Sequence, residues 1–325
     1  MTVIAHALDS VSLDGPSALT IGTFDGVHVG HQALIRHVIG RARILRGPAV
    51  LVTFRPHPRS VLRPHIALRY LQSTDERLAM LSSLGLDHII SLEFDMNLAR
   101  TGAAQFAGLL ARNLGMRELW VGRGFALGRN RKGDVPFLTA MGSQLSFTVH
   151  PIRRLTLDDE PISSSTIRNL LSSGEVRRSA RLLGRYYRLT GAVVHGAHRG
   201  AQIGFPTANL AVPPNRLVPA NGVYATWVRV AGRWVAGATN IGTRPTFANG
   251  DRTVETHLLD WQEDVYGREL VLSFVERLRN ERKFAGREEL TGQLRRDVAQ
   301  VRELLSQTAP IMPVPELPAV EQRST

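Results

Sequence analysis

Apolar and polar positions alternate along this chain in two rhythms, and the change between them divides it. In the first half, short apolar runs stand at 18–22 (ALTIG), 49–54 (AVLVTF), 88–94 (HIISLEF) and 118–122 (ELWVG), and SFTVHPI at 146–152 closes the series. Between them, stretches such as 73–84 and 102–114 carry apolar residues at helical spacing. Strand-like runs alternating with amphipathic helices predict a parallel sheet with crossover helices. Leu34, Ile35, Val38 and Ile39 predict a helix that begins near Gly30 and turns one face to a core. From Tyr187 onward the period shortens to two, in TGAVVHG, GVYATWVRV, RWVAGATNIG, VETHLLD and ELVLSFVERL, with Gly, Pro and Asn turns between. Ala231-Gly232 predicts a hairpin turn, and the whole predicts an all-β domain closing as a small barrel. Leu290, Leu294, Val298, Val301 and Leu305 share one face of a final helix, and a proline-rich tail follows. The expected organisation is an α/β domain over 1–184, a β domain over 185–309 and a disordered tail over 310–325.

A chain of 325 residues is long enough for two cores. The absence of cysteine excludes disulfides, thiolate metal sites and cysteine nucleophiles. No basic leader precedes an apolar stretch, and no apolar run reaches membrane-spanning length, so the expectation is a cytoplasmic protein with no membrane partner. The net charge of +12 is carried almost wholly by arginine, Lys132 and Lys283 being the only lysines. An excess of that size suits phosphate-bearing substrates. Because the arginines are scattered, nucleic acid is not the expected partner.

Chemistry concentrates in a few stretches. In Leu19–Leu34, LTIGTFDGVHVGHQAL, a strand runs into a turn on Gly22, Phe24, Asp25 and Gly26, and His28 and His31 then stand at the mouth of a helix. Backbone N–H groups at a helix start bind anions, and two imidazoles can steady a phosphorus that gains charge as pyrophosphate leaves. After the second strand, Thr53-Phe54-Arg55-Pro56-His57-Pro58 holds His57 in a loop stiffened by two prolines. The glycine-rich basic loop at 121–134 suits a phosphate or a flat ring. Ser163, Ser164, Ser165 and Thr166 open a helix whose Arg168 lies one turn in, which is again a phosphate-binding pattern. In the β half, Gly204-Phe205-Pro206-Thr207-Ala208-Asn209 places Thr207 and Asn209 on the same side of an extended chain, as oxygen donors for a hard cation such as Mg²⁺. Glu255, in the strand-like TVETHLL, is the candidate base for a hydroxyl. The chain has neither G-x-x-x-x-G-K-[ST] nor G-x-G-x-x-G, which argues against a P-loop kinase and a dinucleotide dehydrogenase.

Together these residues resemble the bacterial bifunctional riboflavin kinase/FAD synthetase family, over about Leu19 to Leu305. The matching motifs are Phe24–His31, Thr53–Pro58, Ile162–Arg168, Gly204–Asn209, Gly222–Tyr224, Asn240–Thr246 and Val254-Glu255. The resemblance implies a Rossmann-like nucleotidyltransferase domain followed by a six-stranded β-barrel kinase domain with a C-terminal helix. It implies that Glu255 deprotonates the ribityl hydroxyl of riboflavin, while Mg²⁺ held with Thr207 and Asn209 supports ATP. The loop carrying Gly196, Arg199, Gly200 and Gly204 would close over the phosphates, giving FMN. The FMN phosphate would then attack the α-phosphate of a second ATP, steadied by His28 and His31. Gly22, Phe24, Asp25, His57, Ser164, Ser165 and Arg168 would hold the nucleotide, and FAD and pyrophosphate would leave.

Two positions depart from the family pattern: Gly124 stands where a polar residue is usual, and Arg55 where an acidic one is. Arg55 and Arg123 are candidates to recruit the FMN phosphate. Two alternatives follow. One is a riboflavin kinase whose adenylyltransferase is impaired or has changed acceptor; the other is a basic RNA-binding protein reusing the fold. The expected partners are small molecules, with homo-oligomerisation left open.

Overall fold

The computed structural model describes residues 2–196, 200–243 and 252–311. The expectations for Arg199, for Arg244, Pro245 and Thr246, and for the tail beyond Ile311 lie outside the described residues. The chain divides into two compact units, one ending at Ser163 and the other beginning at Ser164.

The first unit is a six-stranded sheet. Its strands are β1 (Val3–Ala5), β2 (Ser17–Ile21), β3 (Ala49–Arg55), β4 (His88–Glu93), β5 (Met116–Gly122) and β6 (Thr148–Ile152), in the order β1-β4-β3-β2-β5-β6. Every pairing is parallel. The central strands are buried on both faces, which is why they read as unbroken apolar runs. On one face Val50, Val52, Ile90, Leu119 and Val121 pack against Phe106 and Leu110 of α5 (Ala103–Asn113) and Leu138 of α6 (Val135–Leu145). On the other, Leu51, Ile89 and Trp120 pack against Leu34, Ile35 and Val38 of α1 (Val29–Leu45) and Leu81 of α3 (Thr74–Ser82). Short helices α2 (Pro58–Leu62) and α4 (Met96–Arg100) follow β3 and β4. From β2 the chain moves outward through β3 and β4, then returns to the far side of β2 as β5. The order in which strands are added reverses there, and the carboxyl end of β2, at that switch point, is where such sheets bind ligands.

The second unit begins with helices α7 (Ser164–Ser173) and α8 (Val176–Leu183) and continues as a closed barrel. Its strands are β7 (Tyr187–Val194), β8 (Ala208–Ala211), β9 (Gly222–Val230), β10 (Arg233–Thr243), β11 (Arg252–Leu258) and β12 (Glu269–Arg279). Around the wall they run β7-β8-β11-β10-β9-β12, and every pairing is antiparallel. The hairpin turn between β9 and β10 falls on Ala231 and Gly232, both at positive φ. On β11, Val254, Thr256 and Leu258 are buried while Thr253, Glu255 and His257 are half-buried. The interior hydroxyls of Thr226, Thr239 and Thr256 satisfy one another in a chain, at 2.7 Å and 3.0 Å. Helix α9 (Arg287–Ser306) lies against the outer wall, where Val301 and Leu305 meet Ala225, Leu259 and Val275.

Candidate functional site

The crevice at the end of β2 is built by a turn in which Phe24, Gly26 and Val27 all take positive φ. That strained path delivers His28 to the N-cap of α1, where its Nδ1 accepts a hydrogen bond from His31 N–H at 3.2 Å. Because a backbone N–H only donates, the neutral His28 ring must carry its proton on Nε2. The His28 and His31 rings stack at 3.6 Å with 14° between their planes, and Phe24 meets His31 edge-on at 5.0 Å. Gly30 lies so close beneath His28 that a Cβ there would stand 3.2 Å from its Nδ1. His57 repeats the device: it caps α2, with Nδ1 accepting from Arg59 N–H at 3.0 Å. His57 N–H in turn donates to the Tyr70 hydroxyl at 3.3 Å.

Beneath the turn lies a buried pair of opposite charges. Asp25, 1% exposed, accepts from Leu71 N–H at 3.2 Å on each oxygen. Arg77 of α3, 4% exposed, donates to Thr23 O at 2.9 Å and to Phe54 O at 2.8 Å. One guanidinium therefore ties the turn after β2 to the end of β3. Burial lowers the Arg77 pKa, with the Asp25 charge opposing the shift. Sequence reasoning missed Arg77, because its helix reads as an ordinary amphipathic segment.

Farther along α1, Arg41 forms a fork on Glu118 of β5, at 3.1 Å and 2.6 Å. Glu118 also accepts from the Trp120 indole N–H at 2.8 Å. The indole meets two imidazoles, His37 tilted at 4.3 Å and His150 stacked at 4.1 Å. Burial lowers the pKa of both histidines; Arg41 adds to the effect, and Glu118 opposes it. Burial would raise the Glu118 carboxyl, but hydrogen bonds from Arg41 and Trp120 outweigh it and hold the group below the usual range.

The second site lies on the outer wall of the barrel. Glu255 stands opposite Asn209 on one neighbouring strand and opposite Asn240 on the other, and directly opposed residues share a face. A cavity of about 790 Å³ opens over this row. Thr207, Asn240, Glu255 and His257 line its barrel side, while Phe284 and Leu294 are among those lining the side toward α9. His257 donates from Nδ1 to Pro206 O at 2.7 Å, which ties the GFPTAN loop to β11. Arg279 forms a fork on Asp297 of α9, with bonds of 3.0 Å and 2.7 Å; Asp297 is 2% exposed. The Arg279 and Arg282 guanidiniums lie 5.8 Å and 4.5 Å from the centre of the Phe284 ring.

The expected residues take these positions in detail. Gly200 lines the cavity, and Gly196 lies against the Asn209 amide too closely to accept a Cβ. Gly204 is exposed at a φ of 84°, a turn position that favours glycine. Ser164, Ser165 and Arg168 form the first turns of α7, in the second unit. Gly22 stands beside the Phe24 ring and donates from its N–H to Val52 O at 3.0 Å. Asn240, His257, Arg279 and Asp297 were not given roles from sequence. The signal that could have found Asn240 is its place in NIG, one strand away from the VET run.

This geometry can be set beside known proteins. The FAD synthetase family matches residues 11–166 and the riboflavin kinase family residues 183–305. The chain is 39% identical over 292 residues to the bifunctional riboflavin kinase/FMN adenylyltransferase of Pseudomonas fluorescens, covering 89% of this chain and 93% of that one. It is 36% identical over 308 residues to the protein of the same description from Escherichia coli K12, covering 94% and 97%. Among solved structures, one described as a macrolide-efflux protein from Streptococcus pneumoniae shares the fold, with a TM-score of 0.83 and 27% identity over 93% of this chain and 98% of that one.

Proposed function

The chain belongs to the family of bifunctional riboflavin kinase/FMN adenylyltransferases, enzymes that phosphorylate riboflavin to FMN and adenylylate FMN to FAD, and we propose how its residues carry the two reactions. In the barrel, Glu255 takes the proton from the terminal ribityl hydroxyl as its oxygen bonds to the γ-phosphorus of ATP, and ADP leaves. The observation that supports this assignment is the ladder register, which sets Glu255 between Asn209 and Asn240 beneath the cavity. Thr207 and Asn209 supply neutral oxygen donors, and no cluster of three or more His, Asp or Glu suited to a metal occurs among the described residues. Such a set fits Mg²⁺, which takes few protein ligands when phosphates provide the rest, and the ion would neutralise charge on the transferring phosphate. Gly196 and Gly200 let the backbone approach closely beside these donors.

In the first unit, an FMN phosphate oxygen bonds to the α-phosphorus of ATP and pyrophosphate leaves. His28, with its proton on Nε2, and His31 steady the α-phosphate oxygens as charge builds on them. Arg77 and Asp25 hold the turn that presents both rings. Ser164, Ser165 and Arg168, at the start of α7, carry N–H, hydroxyl and guanidinium groups of the kind that bind phosphate oxygens. The setting that fits this reading is the cytoplasm, with free riboflavin, FMN and ATP as substrates.

Incubation of the purified protein with riboflavin, Mg²⁺ and ATP, with the flavins separated over time, tests this reading. FMN should appear first and FAD second. FMN that accumulates without FAD, even when FMN is supplied, would refute the assignment of the first unit and favour the impaired adenylyltransferase.

A further inference from the structure

We infer that Arg55 selects the acceptor of the adenylyl transfer by its phosphate, discriminating FMN from unphosphorylated riboflavin. The inference rests on the reading of the first unit given above. Arg55 is the last residue of β3, at the carboxyl end of the sheet where the crevice opens. Along β3, Ala49 and Leu51 pack on the α1 side of the sheet and Val50 and Val52 on the α5 side. Alternation places Thr53 and Arg55 with the first pair, on the side where α1 begins with its two imidazoles. Thr53 follows that rule, its hydroxyl donating to Thr23 O at 3.3 Å.

The Arg55 side chain is half-buried, and its Nε is fully buried with no hydrogen-bond partner among the described residues. Its neighbour across the ladder, Glu93, is exposed, and no ion pair joins the two. A guanidinium taken partly out of water without a counter-ion is unfavourable in the unliganded protein and becomes favourable once a doubly charged phosphate arrives. Arg77, on the same side, shares a buried Nε without a partner, but both its terminal nitrogens are committed to Thr23 O and Phe54 O, which fixes its fork away from a ligand. Arg123, the other candidate from sequence, is exposed and lines a separate cavity of about 670 Å³ beside edge strand β6, together with Arg117 and Arg153. Arg55 is thus the arginine with a desolvated, uncommitted donor at the end of β3. FMN carries the phosphate this donor would bind; riboflavin does not.

The test is steady-state kinetics of FAD formation from supplied FMN and ATP for the parent, Arg55→Gln and Arg55→Lys, with thermal unfolding of each. Loss of a charge-assisted bond to phosphate should raise KM for FMN roughly tenfold to hundredfold in Arg55→Gln. In the same variant kcat should fall less than about threefold and KM for ATP stay within about twofold. Arg55→Lys should recover part of the loss, since it restores a cation without the planar fork. Riboflavin phosphorylation by the barrel should not change in either variant. A KM for FMN within about twofold of the parent in Arg55→Gln would overturn the inference, as would a parallel rise in KM for ATP. A parent that makes no FAD from FMN would instead remove the reading of the first unit, and this inference with it.

Discussion

Replacing Arg77 by methionine keeps most of the side-chain volume and removes both hydrogen bonds that join the turn after β2 to the end of β3. The two bonds, at 2.9 Å and 2.8 Å, come from a charged donor that is 4% exposed, so solvent screening takes little from them. Bonds of this kind are worth about 1.5–3 kcal/mol each, and the change also leaves two carbonyls short of a donor and removes the positive charge near Asp25. Apolar packing by methionine returns part of this, so the expected net loss from the first unit is about 3 kcal/mol. The turn carries His28 and His31, and FAD formation should therefore fall more than tenfold while riboflavin phosphorylation proceeds at the parent rate. Hydrogen exchange read by peptide locates the effect: amides of 18–58 should lose protection, and those of the barrel should not. Arg77→Lys, which keeps the charge but reaches one carbonyl at a time, should fall between parent and methionine. A loss below about 1 kcal/mol, with FAD formation within twofold of the parent, would refute the role given to this guanidinium.

Glu255→Gln should lower riboflavin phosphorylation by roughly a hundredfold or more while supplied FMN is still adenylylated, and His31→Ala should do the reverse; loss of both activities in either variant would break the division between units. His37 and His150 titrate below the ordinary histidine value near 6.5 because burial disfavours their charged forms. As pH falls the unfolded chain takes up these protons first, so their contribution to stability is full above about 6.5 and is lost as pH drops through the lowered values. The melting temperature of the first unit should decline over that window, and His37→Gln with His150→Gln should flatten the decline; an unchanged slope would contradict the assignment. The Glu118 contribution, from a lowered carboxyl, is lost only at more acid pH and does not confuse the test. Gly237→Ala inserts a Cβ 2.5 Å from Val228 Cγ2 and 3.0 Å from Thr226 Oγ1, and should destabilise the barrel by about 1–3 kcal/mol in urea unfolding, a value near zero showing that the wall relaxes around it.

The two rhythms of the sequence carried both architectures, because local periodicity reports which face of an element is buried. The strand Val3–Ala5 escaped notice, three residues being too few to show a period. Helix α1 and the hairpin at Ala231-Gly232 were legible from local signals alone, as was the position of His28 and His31 at the mouth of α1. What stayed hidden was register. Nothing local says that Asn240 and Asn209 flank Glu255, since that depends on pairing between strands far apart in the chain. Charged residues were hidden for another reason: Asp297 reads as one more solvated helix carboxylate, yet it is buried and holds Arg279 across 18 positions. Arg77 was lost in the same way, one arginine among many.

The bond from His31 N–H to His28 Nδ1 makes a single ring both the cap that starts a helix and the donor that the proposed adenylyl transfer uses. Asparagine caps helices as well as any residue, so His28→Asn should leave the melting temperature nearly unchanged and still stop FAD formation. A library sorted only for folded protein would therefore show position 28 as freely exchangeable among short polar residues. Sorted for FAD output, the same library would show it fixed. The difference between the two surveys at this one position isolates what selection spends on reaction rate from what it spends on keeping the chain folded.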